Sequence, residues 1–227
     1  MSQPIHAVIF DFDGLLVDSE PLQYAAWDAF VSRYGKVLDA DIRAQMYGTR
    51  LVDSSALIAE VLELPLTPAE VAEERDALFF AMIPGRIKPK PGALELLADL
   101  EAREVKTALA TSGHRRYVDA ACESASIPRS FDVEVTGELV TYGKPHPETF
   151  LRAAELLGVE PGHCLVLEDS PQGVRAARAA GMVCFAVPDG IHADVDLSPA
   201  HRILNSLADV LQVAADYGLV LSAVSQG

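Results

Sequence analysis

Cysteine, tryptophan and positive charge are all scarce in this chain. Its three cysteines, Cys122, Cys164 and Cys184, stand far apart with no CxxC pair. That excludes a disulfide framework and a cysteine-rich zinc site, and leaves three small residues in apolar stretches, read as buried thiols in a reducing compartment. Lysine and arginine together number 18 against 33 Asp and Glu, a formal net charge of −15. No basic block interrupts that excess, so general binding to nucleic acid or to an anionic membrane is excluded. The longest unbroken apolar run, Ala77–Ile83, falls far short of the ~20 residues that cross a bilayer. Met1–His6 lacks a basic segment leading into an apolar one. The expectation is therefore a chain without a signal peptide, placed in the cytoplasm.

What is present is an ordinary globular composition: of 227 residues, 50% are hydrophobic and 22% charged. A chain of this length buries roughly 70% of its unfolded surface and needs neither disulfide nor metal to fold. It has room for one large domain, or for one domain carrying an insert. Should the substrate be an anion, some local device must overcome the field of the whole protein, and a metal ion is the obvious candidate.

Short runs rich in Val, Ile and Leu recur at His6–Phe10, Val105–Ala110, Val133–Thr136, Cys164–Leu167 and Val183–Val187. Runs apolar at consecutive positions are expected of strands buried on both faces, as in a parallel sheet. Between them lie amphipathic helical patterns at Arg115–Ala125, Pro147–Leu157 and Pro171–Ala180, with a last helix at Leu207–Tyr217. Pro147 and Pro171 suit a first helical turn, and Gly158 and Gly181 suit helix ends. Strand and helix in alternation predict an α/β, doubly wound, Rossmann-like parallel sheet. About Ser19 to Lys90 is far too long for one crossover and reads as helix at Pro21–Tyr34, Ala40–Met46, Val52–Leu62 and Pro68–Met82. We therefore expect a small all-helical cap, residues 19–87, inserted into a core of residues 1–18 and 88–227. Pro84–Pro91 would be the return hinge, and Pro188–Pro199 an acidic, exposed loop.

Four polar clusters each follow a predicted strand: Asp11-Phe12-Asp13-Gly14, Thr111-Ser112-Gly113, Gly143-Lys144-Pro145 and Glu168-Asp169-Ser170. In an open parallel sheet such ends share one crevice, so residues distant in sequence meet there. Asp11 and Asp13, two apart in extended geometry, share a face. Two close carboxylates repel unless a cation or a function compensates; the alternative is a strand-end turn with Asp as a cap. A calcium loop fails, because its sixth and twelfth positions are Leu16 and Leu22 rather than Gly and Glu. Glu168-Asp169 reads alone as a helix cap before Pro171, and with Asp11 as a set of hard oxygen ligands suited to Mg²⁺. Thr111-Ser112-Gly113 is either a phosphate seat or an ordinary cap. Lys144 is either a fixed positive charge or a solvated loop residue. A nucleotide P-loop is rejected, since Pro145 fills the Ser/Thr position and the spacing is one residue too long.

The joint order of these clusters resembles the haloacid dehalogenase-like hydrolase superfamily, over about residues 5 to 215. Asp11-Phe-Asp-Gly-Leu-Leu-Val-Asp-Ser is similar to the first motif of that family and Thr111 to the second. Lys144 in Gly-Lys-Pro is similar to the third, and Glu168-Asp-Ser-Pro-Gln-Gly-Val-Arg-Ala-Ala to the fourth. The helical insert is similar to the cap of the beta-phosphoglucomutase and sugar-phosphatase branch. The resemblance implies a phosphatase acting on small phosphorylated metabolites, with Asp11 as nucleophile through an aspartyl-phosphate and Asp13 as acid and base. It implies Mg²⁺ held by Asp11, Asp169 and the backbone carbonyl of Asp13, with Glu168 acting through water. Thr111, Ser112, Gly113 and Lys144 would bind the phosphoryl group. The namesake dehalogenases carry an aromatic residue where Asp13 stands, since halide leaves without a proton; Asp13 therefore favours phosphoesters.

Substrate choice is expected from the cap, with Gln23, Tyr24, Trp27, Gly48 and Arg50 as candidates. Trp27 reads first as cap core, and Arg50 alternatively as a surface ion pair. Sugar or polyol phosphates lead the expected substrates, with phosphoglycolate and nucleoside monophosphates behind them. A phosphosugar mutase is the runner-up, and a binding protein on a retained scaffold the alternative from another class. In the mutases a histidine fills the position of Gln23. The roles of His114, Arg115 and His146 stay open, as does monomer against dimer.

Overall fold

The computed structural model describes residues 4–191 and 195–219. Strand β1 (Ala7–Phe10) is followed by the two-residue strand β2 (Val17–Asp18) and four helices, α1 (Glu20–Ser32), α2 (Ala40–Met46), α3 (Leu51–Val61) and α4 (Pro68–Met82). The chain returns through β3 (Lys88–Pro89) to α5 (Ala93–Ala102), β4 (Lys106–Ala110), α6 (Arg115–Ala125) and β5 (Val133–Val135). It continues as α7 (Glu148–Leu157), β6 (Cys164–Glu168), α8 (Pro171–Ala179), β7 (Val183–Ala186), β8 (Arg202–Ile203) and α9 (Val210–Asp216).

Six strands form one parallel sheet in the order β5-β4-β1-β6-β7-β8. β1 lies at its centre, with Phe10 opposite Leu109 and Leu167. Because successive side chains point to opposite faces, β1 feeds two cores. Val8 and Phe10 pack with Leu96, Leu100, Val118 and Val210 of α5, α6 and α9. Ala7 and Ile9 pack with Phe150, Ala154, Val174 and Ala177 of α7 and α8. Helices on both faces explain why the central strand β1 is apolar throughout, and the fold is the expected doubly wound α/β.

Helices α1 to α4 carry an apolar cluster of their own, built on Trp27, Phe30, Ile42, Ile58 and Val71. Ser and Thr oxygens and an Asp carboxylate start several helices: Asp39 accepts from Ile42 N at 2.9 Å, and Thr67 forms a reciprocal capping box with Glu70. The two chain segments joining this cap to the core pair with each other as β2 and β3, antiparallel, with Val17 opposite Pro89.

Helix α5 was not anticipated, although Leu96, Leu97 and Leu100 give it a buried stripe. The paired segments β2, β3 and β8 were also missed; at two residues each they carry no periodicity to read. The last helix is shorter than expected, its first turn being a tighter 3₁₀ turn at Leu207–Asp209. Of the expected exposed loop Pro188–Pro199, residues 192–194 lie outside the described residues, while Asp189 and Leu197 are buried.

Candidate active site

All four clusters converge at the carboxyl ends of β1, β4 and β6 and in the loop that carries Lys144, where the core meets the cap. A cleft of about 930 Å³, including its open mouth, is lined there by Asp11, Asp13, Thr111, Ser112, Gly113, Lys144 and Asp169. From the cap side, Gln23, Tyr24, Trp27, Gly48 and Arg75 complete the wall.

Lys144 is the pivot of the core half. Its Nζ donates to Asp11 Oδ1 and, at 2.7 Å, to Glu168 Oε1. Burial pushes the Lys144 ammonium down, but Asp11 and Glu168 more than offset that and hold it above its ordinary value. Glu168 is fully buried, and its other oxygen accepts from Asp169 N at 2.9 Å, Ser170 N at 2.8 Å and Ser170 Oγ at 2.9 Å. So many donors fix its position before any ligand arrives. Two glycines make this packing possible. A Cβ on Gly173 would stand 1.6 Å from Glu168 Oε1, and one on Gly14, whose φ is +75°, 1.9 Å from Asp169 Oδ2.

Asp11, Glu168 and Asp169 each place a carboxylate oxygen within 4.8 Å of the others, and all three residues are buried. Among the described residues Lys144 is the ammonium that bonds this cluster, so three carboxylates stand against one cation. Burial, helped by Glu168 and opposed by Lys144, raises Asp11 to about 8. Burial, then the charges of Glu168 and Asp11, hold Asp169 well above the usual carboxylate range. Tyr47 steadies Asp169 by donating to its Oδ2 at 2.7 Å. A cluster of hard oxygens that burial and mutual repulsion keep from ionising fits a divalent cation.

The side chain of Asp13 stands outside this cluster. Its Oδ1 accepts from Ser19 Oγ at 2.5 Å and from the Tyr117 hydroxyl. Burial raises its pKa, against the pull of those donors. Two carboxyl groups two residues apart thus occupy different settings, one facing a lysine and the carboxylate cluster, the other facing two hydroxyls and the Gln23 side chain. That separation suits one as nucleophile and one as proton carrier. Thr111 is buried, and its Oγ1 accepts from Gly113 N at 3.0 Å, shaping the turn that opens α6.

The cap candidates divide. Gln23 faces the cleft, its carboxamide oxygen accepting from Arg75. Gly48 lies against Ser170, where a Cβ would stand 2.9 Å from Oγ. Trp27 belongs to the cap core and also borders the cleft. Arg50, expected to face the crevice, does not line it; its Nε donates to Asp53 at 2.8 Å and its Nη1 to the Thr141 carbonyl at 2.9 Å. An acidic residue three positions on and an open core carbonyl satisfy its guanidinium outside the cleft. His114 borders the cleft, whereas Arg115 pairs with Glu134 and exposed His146 lies beside Glu148.

Among the cleft residues that were missed are Glu20, Tyr47, Arg75 and Tyr117. Arg75 had a signal, being the one basic residue of α4 and sharing a face with Val71 and Phe79 at spacings of four. Glu20 adjoins the first motif and is raised to about 8, by burial first and then by Asp13. Tyr47, just past α2, and Tyr117, on the buried face of α6, carry no pattern that marks them.

A family profile described as haloacid dehalogenase-like hydrolase matches residues 5–181. A phosphorylated carbohydrates phosphatase of Thermotoga maritima is 34% identical over 220 residues, covering 91% of this chain and all of that protein. A probable pseudouridine-5'-phosphatase of Drosophila melanogaster is 36% identical over 207 residues, 88% of this chain and 89% of its own. Among solved structures, a beta-phosphoglucomutase from Clostridium difficile superimposes with a TM-score of 0.82 at 25% identity, covering 94% of this chain and 97% of that one. The cleft geometry and these likenesses agree: the chain belongs to the haloacid dehalogenase-like hydrolases and is a phosphoric monoester hydrolase.

Proposed function

We propose that the protein hydrolyses small sugar or polyol phosphates through an aspartyl-phosphate on Asp11, with Mg²⁺ as cofactor. The observation that carries this reading is the pairing of Asp11, set against Lys144 and the carboxylate cluster, with Asp13, set apart among hydroxyls. Mg²⁺ held by Asp11, Asp169 and the Asp13 carbonyl, with Glu168 behind, would supply positive charge to the phosphoryl oxygens.

An Asp11 oxygen bonds to phosphorus as the ester bond breaks, and the departing oxygen takes the electron pair and a proton from Asp13. Water then attacks phosphorus and gives its proton to Asp13, and the Asp11–phosphorus bond breaks to return the carboxylate. Lys144, Thr111 and the backbone N–H of Ser112 hold the phosphoryl oxygens as charge shifts, while the Gly113 N–H holds Thr111 Oγ1 in place. The alcohol part of the substrate lies against the cap, where Gln23, Tyr24 and the buried Arg75 offer donors and acceptors suited to hydroxyl groups. The carbohydrate-directed name of the Thermotoga relative supports that choice.

Hydrolase is favoured over mutase by Gln23. Its carboxamide is engaged by Arg75 and cannot exchange a proton near neutral pH, as a histidine there could. Incubation with beta-glucose 1-phosphate, Mg²⁺ and a trace of the bisphosphate tests this. Free phosphate is expected to outrun glucose 6-phosphate, and the reverse would return the chain to the mutases. Phosphate release from a panel of sugar, polyol, nucleoside and glycolate phosphates tests the substrate class.

A further inference from the structure

We propose that Tyr117 is the positioning residue for the acid–base carboxylate, fixing which oxygen of Asp13 delivers the proton. This rests on the reading of Asp13 as the group that protonates the leaving oxygen. Tyr117 sits near the start of α6 and is 4% exposed. Its hydroxyl donates to Asp13 Oδ1, the oxygen that also accepts from Ser19 Oγ at 2.5 Å. Two donors occupy the lone pairs of Oδ1, so the proton of the acid form is carried on Oδ2. Turning the carboxyl over would break both bonds inside a buried site, where unmade hydrogen bonds are costly. Oδ1 is thereby tethered and Oδ2 is the delivering atom.

The ring that carries this hydroxyl is itself fixed. Phe12 of the core packs edge-on with centroids 5.9 Å apart, and Phe79 of cap helix α4 lies 5.3 Å away. Gly113 leaves the space the ring occupies, since a Cβ there would stand 2.7 Å from Tyr117 Cδ1. Packing alone is satisfied by phenylalanine. A hydroxyl buried against a carboxylate is the part that packing does not explain. Through Phe79 the ring also touches the cap, so the tether on Asp13 lies at the seam between cap and core.

In the step concerned, Asp11 bonds to phosphorus, the ester bond breaks with its electron pair on the leaving oxygen, and the Oδ2 proton passes to that oxygen. Departure of p-nitrophenolate needs that proton far less than departure of phenolate. The test therefore compares p-nitrophenyl phosphate with phenyl phosphate on the parent protein, Tyr117→Phe and Asp13→Ala, all with Mg²⁺. Tyr117→Phe keeps the ring, and its thermal unfolding is expected to match the parent. Its kcat on phenyl phosphate should fall about tenfold further than on p-nitrophenyl phosphate, a fraction of what general acid catalysis supplies. KM for both esters should hold within about twofold, because the tether acts on proton delivery and not on binding. Equal losses on both esters, or none, would show that the hydroxyl serves packing alone and overturn the inference. Asp13→Ala separates the two levels. If it shifts the ester ratio while Tyr117→Phe does not, only the role of Tyr117 fails. If it leaves the ratio unchanged, Asp13 is not the acid and both readings fail.

Discussion

Two buried cations face the same cleft, Lys144 from the core and Arg75 from the cap, and they are satisfied very differently. Lys144 has two carboxylates at bonding distance, Asp11 and Glu168, in a site where every partner is itself held. Arg75, 3% exposed, reaches the carboxamide and backbone carbonyl of Gln23, while Asp76 stands 3.7 Å away and its Nε has no partner among the described residues. It lies over the rings of Phe79 and Trp27, at 4.5 and 5.1 Å. Burial lowers its guanidinium to about 10, against the pull of Asp76, whereas Lys144 is raised by its neighbours. The core thus holds its cation among carboxylates that outnumber it, and the cap holds a cation whose ion-pair partner Asp76 stands at 3.7 Å.

The largest expected effect tests whether chemistry belongs to the core side. Asp11→Asn keeps the shape and the contact with Lys144 but removes the nucleophile. Turnover should fall at least about 1000-fold while the protein stays folded. Phosphate release within tenfold of the parent would move the nucleophile elsewhere and break the comparison.

The same substitution at both cations sharpens it. Lys144→Met leaves Asp11 and Glu168 buried without their cation, so urea unfolding of the metal-free protein should show a loss of about 3–5 kcal/mol. Arg75→Met replaces an incompletely paired charge with an apolar chain among Phe79 and Trp27. Its stability should change by no more than about 1 kcal/mol, since its ion-pair partner Asp76 stands at 3.7 Å and is partly exposed, unlike the buried carboxylates that bond Lys144. Its KM for the preferred sugar phosphate should rise about tenfold, equivalent to one lost charged hydrogen bond, with kcat on p-nitrophenyl phosphate kept. A marginal Lys144→Met and a severely destabilised Arg75→Met would invert the assignment.

That contrast also separates what sequence could reveal from what it could not. Asp11, Thr111, Lys144 and Glu168 were legible because each ends or follows a short apolar run, and parallel strands gather such ends at one crevice. The two-faced burial of β1 was legible in Ala-Val-Ile-Phe for the same reason. Side chains that reach the cleft from helices were harder. Tyr117 shares the apolar face of α6 with Val118 and Ala121, and spacing cannot tell a packed ring from one whose hydroxyl meets Asp13. Arg50 failed in the opposite sense: a loop position beside Gly48 suggested the cleft, yet Asp53 and the Thr141 carbonyl satisfy it on the far side. Local pattern fixes which face of an element is buried; the direction of a long polar side chain depends on partners distant in sequence.

The smallest expected effect separates core from cap by pH. Asp11 is held at about 8, chiefly by burial, while an unfolded aspartate titrates near ~4. Between those values the metal-free native state keeps a proton that the unfolded chain has released, so stability falls as pH rises through the window. Glu20, on the cap, is raised to about 8 by burial and by Asp13 and adds to the same slope. Arg75, near 10, keeps its proton throughout that window and contributes none of it. The Tm of chelator-treated protein should accordingly drop from pH 5 to pH 8. Asp11→Asn and Glu20→Gln should each remove part of the slope. Mg²⁺ should restore Tm more at pH 8 than at pH 5, because a cation at the cluster competes with the protons there. That restoration should survive Glu20→Gln and weaken in Asp11→Asn, since the cap carboxylate lies outside the cluster and Asp11 within it. An Mg²⁺ effect lost with Glu20 and kept without Asp11 would place the cation on the cap side of the cleft.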